Sequence, residues 1–202
     1  MVLGGFILSQ VHSIAREGEC EMAIKNISKD TEIVIRNNVY GGFYYESRTQ
    51  DFVLDFSEFG DEDRVNFGDL TKNSSRLRKS LNNLNIVIVD VISDDDVTIK
   101  DVVERLKVAK SYEKLVALAN QELEDTEYIG DDIVKNFIEE CDSSKIESVF
   151  KEKNNPLAYT VSEHITEMYK NGELADINKM HVVSRFLDYK NPNDYWNEVE
   201  KL

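Results

Sequence analysis

Apolar and polar positions follow a period of two in the first half of the chain and a helical period in the second. From about Ile24 to Val91 the segments are alternating, β-branched and aromatic, the pattern of half-buried strands. Met22, Ala23, Ile24, Lys25, Asn26 and Ile27 read as a first strand. Ile33, Ile35 and, across Asn38, Val39 read as another, and Gly41 and Gly42 punctuate it before the aromatic run Phe43, Tyr44, Tyr45. Phe52, Leu54 and Phe56 recur every second residue with Val53 and Asp55 on the opposite face, which predicts a strand with one buried side and then a turn at Gly60 to Asp63. Val65 and Phe67 lead into Asp69, a candidate helix cap. Leu70, Leu77, Leu81 and Leu84 then predict a helix or two short turns. The unbroken run Ile86, Val87, Ile88, Val89 predicts a central strand covered on both faces.

Past the acidic turn Ser93, Asp94, Asp95, Asp96 the period lengthens. Thr98 with Asp101 makes a capping pattern ahead of Ile99, Val102, Val103 and Leu106, and Tyr112, Leu115, Val116, Leu118 and Ala119 repeat the stripe. Asp131 or Asp132 opens a third helix with Ile133, Val134, Phe137 and Ile138 inward, and Ser143 or Ser144 caps a fourth with Ile146, Val149 and Phe150. Asn155 and Pro156 start a helix that Gly172 ends. Asp176 opens the next, with Ile177, Met180, Val183, Phe186 and Leu187 facing inward, and Asn191 and Pro192 start a terminal one. No heptad or fixed repeat persists. The fold class is therefore α+β: a small N-terminal β-rich unit, residues 22–93, followed by a C-terminal bundle of short helices, residues 94–202.

Residues 1–21 read as a non-native or flexible extension. Met22 opens a conventional strand, and back-translation of Arg16, Glu17, Gly18 and Glu19 permits a purine-rich, ribosome-binding-like run just upstream of it. The apolar start, Met1 to Leu8, lacks the charged lead of a secretory signal, and no stretch reaches the roughly 20 apolar residues of a membrane span. Secretion through a signal peptide is therefore not expected. Only two cysteines, Cys20 and Cys141, occur, so neither a disulfide framework nor a zinc cage is expected.

Composition is that of a globular protein, 41% hydrophobic and 31% charged, but the formal net charge is −15. A phosphate backbone meets net repulsion from such a chain, which argues against direct nucleic-acid binding. The charge is spread, with 17 acidic against 11 basic residues in 1–100 and 22 against 13 in 101–202. Its plain reading is a solvated surface; its sharper one is an acidic face that docks on a basic partner or imitates DNA.

No residue pattern assembles a reaction centre, a cofactor cradle or a metal cage. An EF-hand reading from Asp55 places Gly60 correctly but puts Phe59 fifth and Asn66 twelfth, where ligands are needed. His12, His164 and His181 show no ligand spacing. His164 reads as a boundary residue that could join Glu163 and Glu167 in an acidic patch. Cys141, directly after two glutamates, is a poor nucleophile candidate. Gly41 and Gly42 lack the companions of a phosphate loop. The candidate sites are therefore interface residues. Tyr40 and Tyr44 suit a protein contact, with Phe43 and Tyr45 in the core. Arg76, Arg78 and Lys79, with Lys72, form a basic cluster for an acidic partner or a phosphate, or else a solvated helix face. Tyr195 and Trp196 either cap the bundle or anchor a partner.

Residues 23–91 carry Ile-Lys-Asn-Ile-Ser-Lys-Asp-Thr-Glu-Ile-Val-Ile near their start, then Phe67-Gly68-Asp69-Leu70 and the closing Asn85-Ile-Val-Ile-Val-Asp-Val. In these stretches the chain resembles the compact β units of virion structural proteins from large tailed bacteriophages. The resemblance implies a non-enzymatic component of a particle, located in a virion or a host cytoplasm, that works through protein–protein contacts with other subunits or with itself, and it assigns no functional residues. The alternative is an acidic binding protein or inhibitor, DNA-mimic-like, that docks on a basic groove of a host protein.

Overall fold

The computed structural model describes residues 25–93 and 96–201. The extension 1–21, the start of the expected first strand at Met22, and Asp94 and Asp95 lie outside the described residues. Residues 25–28 are irregular, so the strand expected across Ile27 is absent from its described part. The strands are β1 Glu32–Asn37, β2 Phe43–Glu46, β3 Val53–Phe56, β4 Glu62–Asn66 and β5 Ile86–Ile92. The helices are α1 Phe67–Asn82, α2 Ile99–Leu106, α3 Ala109–Ala117, α4 Ile133–Glu140, α5 Ser143–Lys151, α6 Leu157–Lys170, α7 Ile177–Phe186 and α8 Pro192–Val199, with a 3-10 turn at Leu123–Asp125. The α+β arrangement of a small β region followed by short helices is as the periodicities predict.

β1 is the central strand of a three-stranded antiparallel sheet in the order β4-β1-β5, with a register shift between Val34 and Ile35 against β5. The run Ile86 to Val89 is fully buried on both faces, as expected, but β5 sits at an edge of the sheet and not at its centre. That edge is closed from the helical half. The Ile88 amide donates to the Tyr112 hydroxyl at 2.8 Å and the Ile129 amide donates to the Val89 carbonyl at 3.0 Å. These two bonds occupy β5 groups that another strand would otherwise extend. β2 and β3 form a separate antiparallel hairpin with Phe52, Leu54 and Phe56 buried on its inner side.

β4 runs directly into α1. Asn66 holds the cap position without a side-chain bond. The first amides, Phe67 and Gly68, donate instead to the Thr31 and Lys29 carbonyls, so Asp69 is not the cap but a first-turn residue paired with Lys72. A Cβ on Gly68 would stand 3.0 Å from the Lys29 Cβ, which explains a glycine at this close approach. In α2 the Thr98–Asp101 capping box is complete. Asp142, one residue before Ser143, caps α5, while Asp176 and Asn191 cap α7 and α8 as expected. Ile177 points out, 62% exposed, so it leaves the predicted inward stripe, and Val182 takes a buried place beside Met180 and Val183. One apolar cluster runs from Ile27 through the sheet and the helices to Val199. No described helix is long and apolar enough to cross a membrane.

Candidate functional site

The hairpin β2–β3 is held at its base by Asn37. Because β1 is the central strand, this polar residue is fully buried, and its amide nitrogen reaches the Val39, Gly41 and Glu58 carbonyls at 3.2, 2.7 and 2.8 Å. These carbonyls flank the hairpin on both sides, so one side chain gathers the entering and leaving chain. The inner ring Tyr45 then donates to Asn73 of α1 at 2.9 Å. The outer face carries Tyr44, 62% exposed and hydrogen-bonded to Glu46, and Val53, 42% exposed. Phe43 and Tyr45 pack against the core.

Arg76, Arg78 and Lys79 are exposed on α1 and have no ion-pair partner among the described residues. Arg76 and Lys72 line a shallow groove of about 240 Å³ against the hairpin turn, which contributes Arg48, Thr49 and Asp51. Asp51 accepts from Thr49 and Ser47, and those bonds hold its carboxyl below the usual range. The structure thus brings the hairpin and the basic cluster onto adjoining elements. It does not bring Tyr40, Tyr195 or Trp196 there. Tyr40 stacks on Phe59 at 4.7 Å and meets His164 edge-on, and burial with Glu167, Glu173 and Glu163 nearby pushes its hydroxyl up to about 12. Trp196 is buried, its indole donating to the Met180 carbonyl, and half-buried Tyr195 bonds Thr166, so this pair caps the helical bundle.

Two buried polar groups escaped the sequence pattern. Arg36, 2% exposed, donates to the Ile129 and Gly130 carbonyls at 2.9 and 2.8 Å and lies 3.7 Å from Glu62, tying the sheet to the segment before α4. Its signal in the sequence is its phase, which places it on the same face of β1 as the apolar Val34. His164, expected at a boundary, is 1% exposed. Its Nδ1 is 2.8 Å from the Thr160 carbonyl, which only accepts, so Nδ1 carries the proton and buried Nε2 has no partner among the described residues. Burial, reinforced by the Arg36 charge, brings the imidazole down to about 4 against the opposing Thr160 bond. Glu163 turns the other way, raised by desolvation and by Glu167.

Asp90, Glu124, Asp125 and Glu127 line a groove of about 530 Å³ between the end of β5, the start of α2 and the 3-10 turn. Lys100 pairs with Glu124 there. Among the described residues no group of three or more His, Cys, Asp or Glu side chains is placed to hold a metal ion. No family model, no curated protein and no solved structure matches this chain.

Proposed function

We propose that this chain is a non-enzymatic structural or assembly component that works by burying surface against other protein chains, and that its setting is a phage particle. The supporting observation is the hairpin β2–β3, whose outer face presents Tyr44 and Val53 to solvent. Its strands pair only with each other among the described residues, so each keeps one edge outside any ladder. Asn37 fixes the base of the hairpin, which lowers the ordering cost of docking it. The resemblance of residues 23–91 to virion proteins supplies the setting.

The test is the mass of the purified protein in solution, alone and with particle components. Co-assembly is expected, and Tyr44→Ala with Val53→Ser weakens it about tenfold or more, the loss of one interface anchor. A strict monomer that never enters the particle overturns the reading.

The groove of Asp90, Glu124, Asp125 and Glu127 favours a second reading, an acidic binder that receives a basic segment of a host protein. Its affinity falls steeply between low and high salt, whereas an apolar assembly contact is much less sensitive.

A further inference from the structure

A second groove, of about 610 Å³, opens where the end of α1 and the start of β5 face α3 and the α5–α6 connection. Asn82, Asn83 and Asn85 come from the first of these segments and Asn154 from the last. None of these four carboxamides has a side-chain hydrogen bond among the described residues. The Asn155 amide, by contrast, is spent on its own loop, donating to the Val149 carbonyl and accepting from Leu157. Ser111, Tyr159 and Glu163 complete the wall. Tyr159 is 68% exposed, and its ring meets Phe186 at 5.3 Å with the planes 68° apart, an edge contact that leaves a flat ring face uncovered. Leu84, buried between the lining residues Asn83 and Asn85, and Asn154 both hold left-handed backbone, at φ 59. Such conformations are sparsely populated by residues other than glycine and are kept where surrounding structure enforces them.

The chemistry of this wall is narrow. It contains no lysine or arginine, so an anion finds no counter-charge. Pro156 and Tyr159 are its only lining residues with a largely apolar side chain, which offers a peptide no row of pockets for alternate side chains. What it offers is carboxamides, each of which donates through nitrogen and accepts through oxygen, plus hydroxyls, one carboxylate acceptor and one bare aromatic face. A ligand that matches is neutral, carries adjacent groups that both donate and accept, and has a flat C–H face. We propose that this groove is a binding site for a neutral oligosaccharide, with vicinal hydroxyls bridging the carboxamides of Asn82, Asn83, Asn85 and Asn154 and one sugar ring stacked on Tyr159. The site stands apart from the hairpin and does not depend on the assembly reading.

The test is a nuclear magnetic resonance titration of the full chain with maltotetraose, cellotetraose and chitotetraose, with tetra-alanine as the peptide comparison. At least one saccharide is expected to shift the side-chain amides of Asn82, Asn83 and Asn85 in a saturable way. Tyr159→Phe keeps the ring and the binding, while Tyr159→Ala and Asn85→Ala each weaken it about tenfold, each variant's fold being checked by its unperturbed core resonances. The proposal is overturned by the absence of saturable shifts with all three saccharides, by shifts that Tyr159→Ala leaves unchanged, or by a response to tetra-alanine alone.

Discussion

At the residue scale, the central strand forces polar side chains into places where each must be satisfied or kept neutral. Arg36 and Asn37 meet that demand with backbone carbonyls, and His164, on α6, meets it by staying uncharged. For His164 the linkage has a definite sign. Its folded value of about 4 lies below the ordinary 6.5, so between these pH values the unfolded chain binds a proton that the folded one refuses. Its stabilising effect is complete above pH 6.5, falls as pH drops toward 4, and levels off below, a loss of about 3 kcal/mol at 1.36 kcal/mol per unit. Urea unfolding of the wild type and of His164→Gln at several pH values checks this: the variant should lack that part of the acid-side slope. The helical spacing of α6 places His164 on the stripe of Leu157, Val161 and Met168, but the flanking Glu163 and Glu167 read as a solvated face, so the pattern alone leaves it at a boundary.

At the element scale, α1, α6 and α7 end in the same way. The amide two residues past the cap reaches back five residues, Asn85 to Ser80, Glu173 to Met168 and Tyr189 to Ser184, and the intervening residue is left-handed. Gly172 fills that position in α6, as its place in the sequence predicts, while Asp188 and Leu84 fill it in α7 and α1. The two non-glycine residues should respond oppositely to replacement. Asp188 is exposed, so Asp188→Gly relieves left-handed strain and stabilises by about 1 kcal/mol. Leu84 is fully buried, so Leu84→Gly empties core volume and destabilises by about 3 kcal/mol despite the same relief. Equilibrium unfolding of both variants measures the two signs. The glycine terminus was legible because glycine advertises its backbone; the leucine terminus was not, because the helical stripe that Leu84 continues is the same whether or not the helix does.

At the scale of the whole molecule, polar stitches through one apolar cluster join the sheet to the helical half and the helices to one another. Tyr112 closes the β5 edge at Ile88, Arg36 holds the Ile129 and Gly130 carbonyls, and buried Lys179 of α7 donates to the Ile138 carbonyl at the end of α4. Tyr112→Phe leaves the Ile88 amide buried without an acceptor and costs about 1–3 kcal/mol. Because the cluster is continuous, unfolding followed by tryptophan fluorescence at Trp196 and by far-ultraviolet circular dichroism should give coincident transitions. Two separated transitions would show that the halves unfold apart. The sequence by itself determined the class of the fold, most element positions, the caps Thr98, Asp176 and Asn191, and the exposure of Tyr44 and the α1 basic residues, since periodicity and capping chemistry act within a few neighbouring residues. Only the tertiary structure decided that β1 and not β5 is central, that Arg36 and His164 are interior, that Trp196 is core, and that asparagines from α1 and from the α5–α6 connection line one groove. Those outcomes depend on which distant segments meet, and strand order and burial of a polar group are set by partners that no local pattern names.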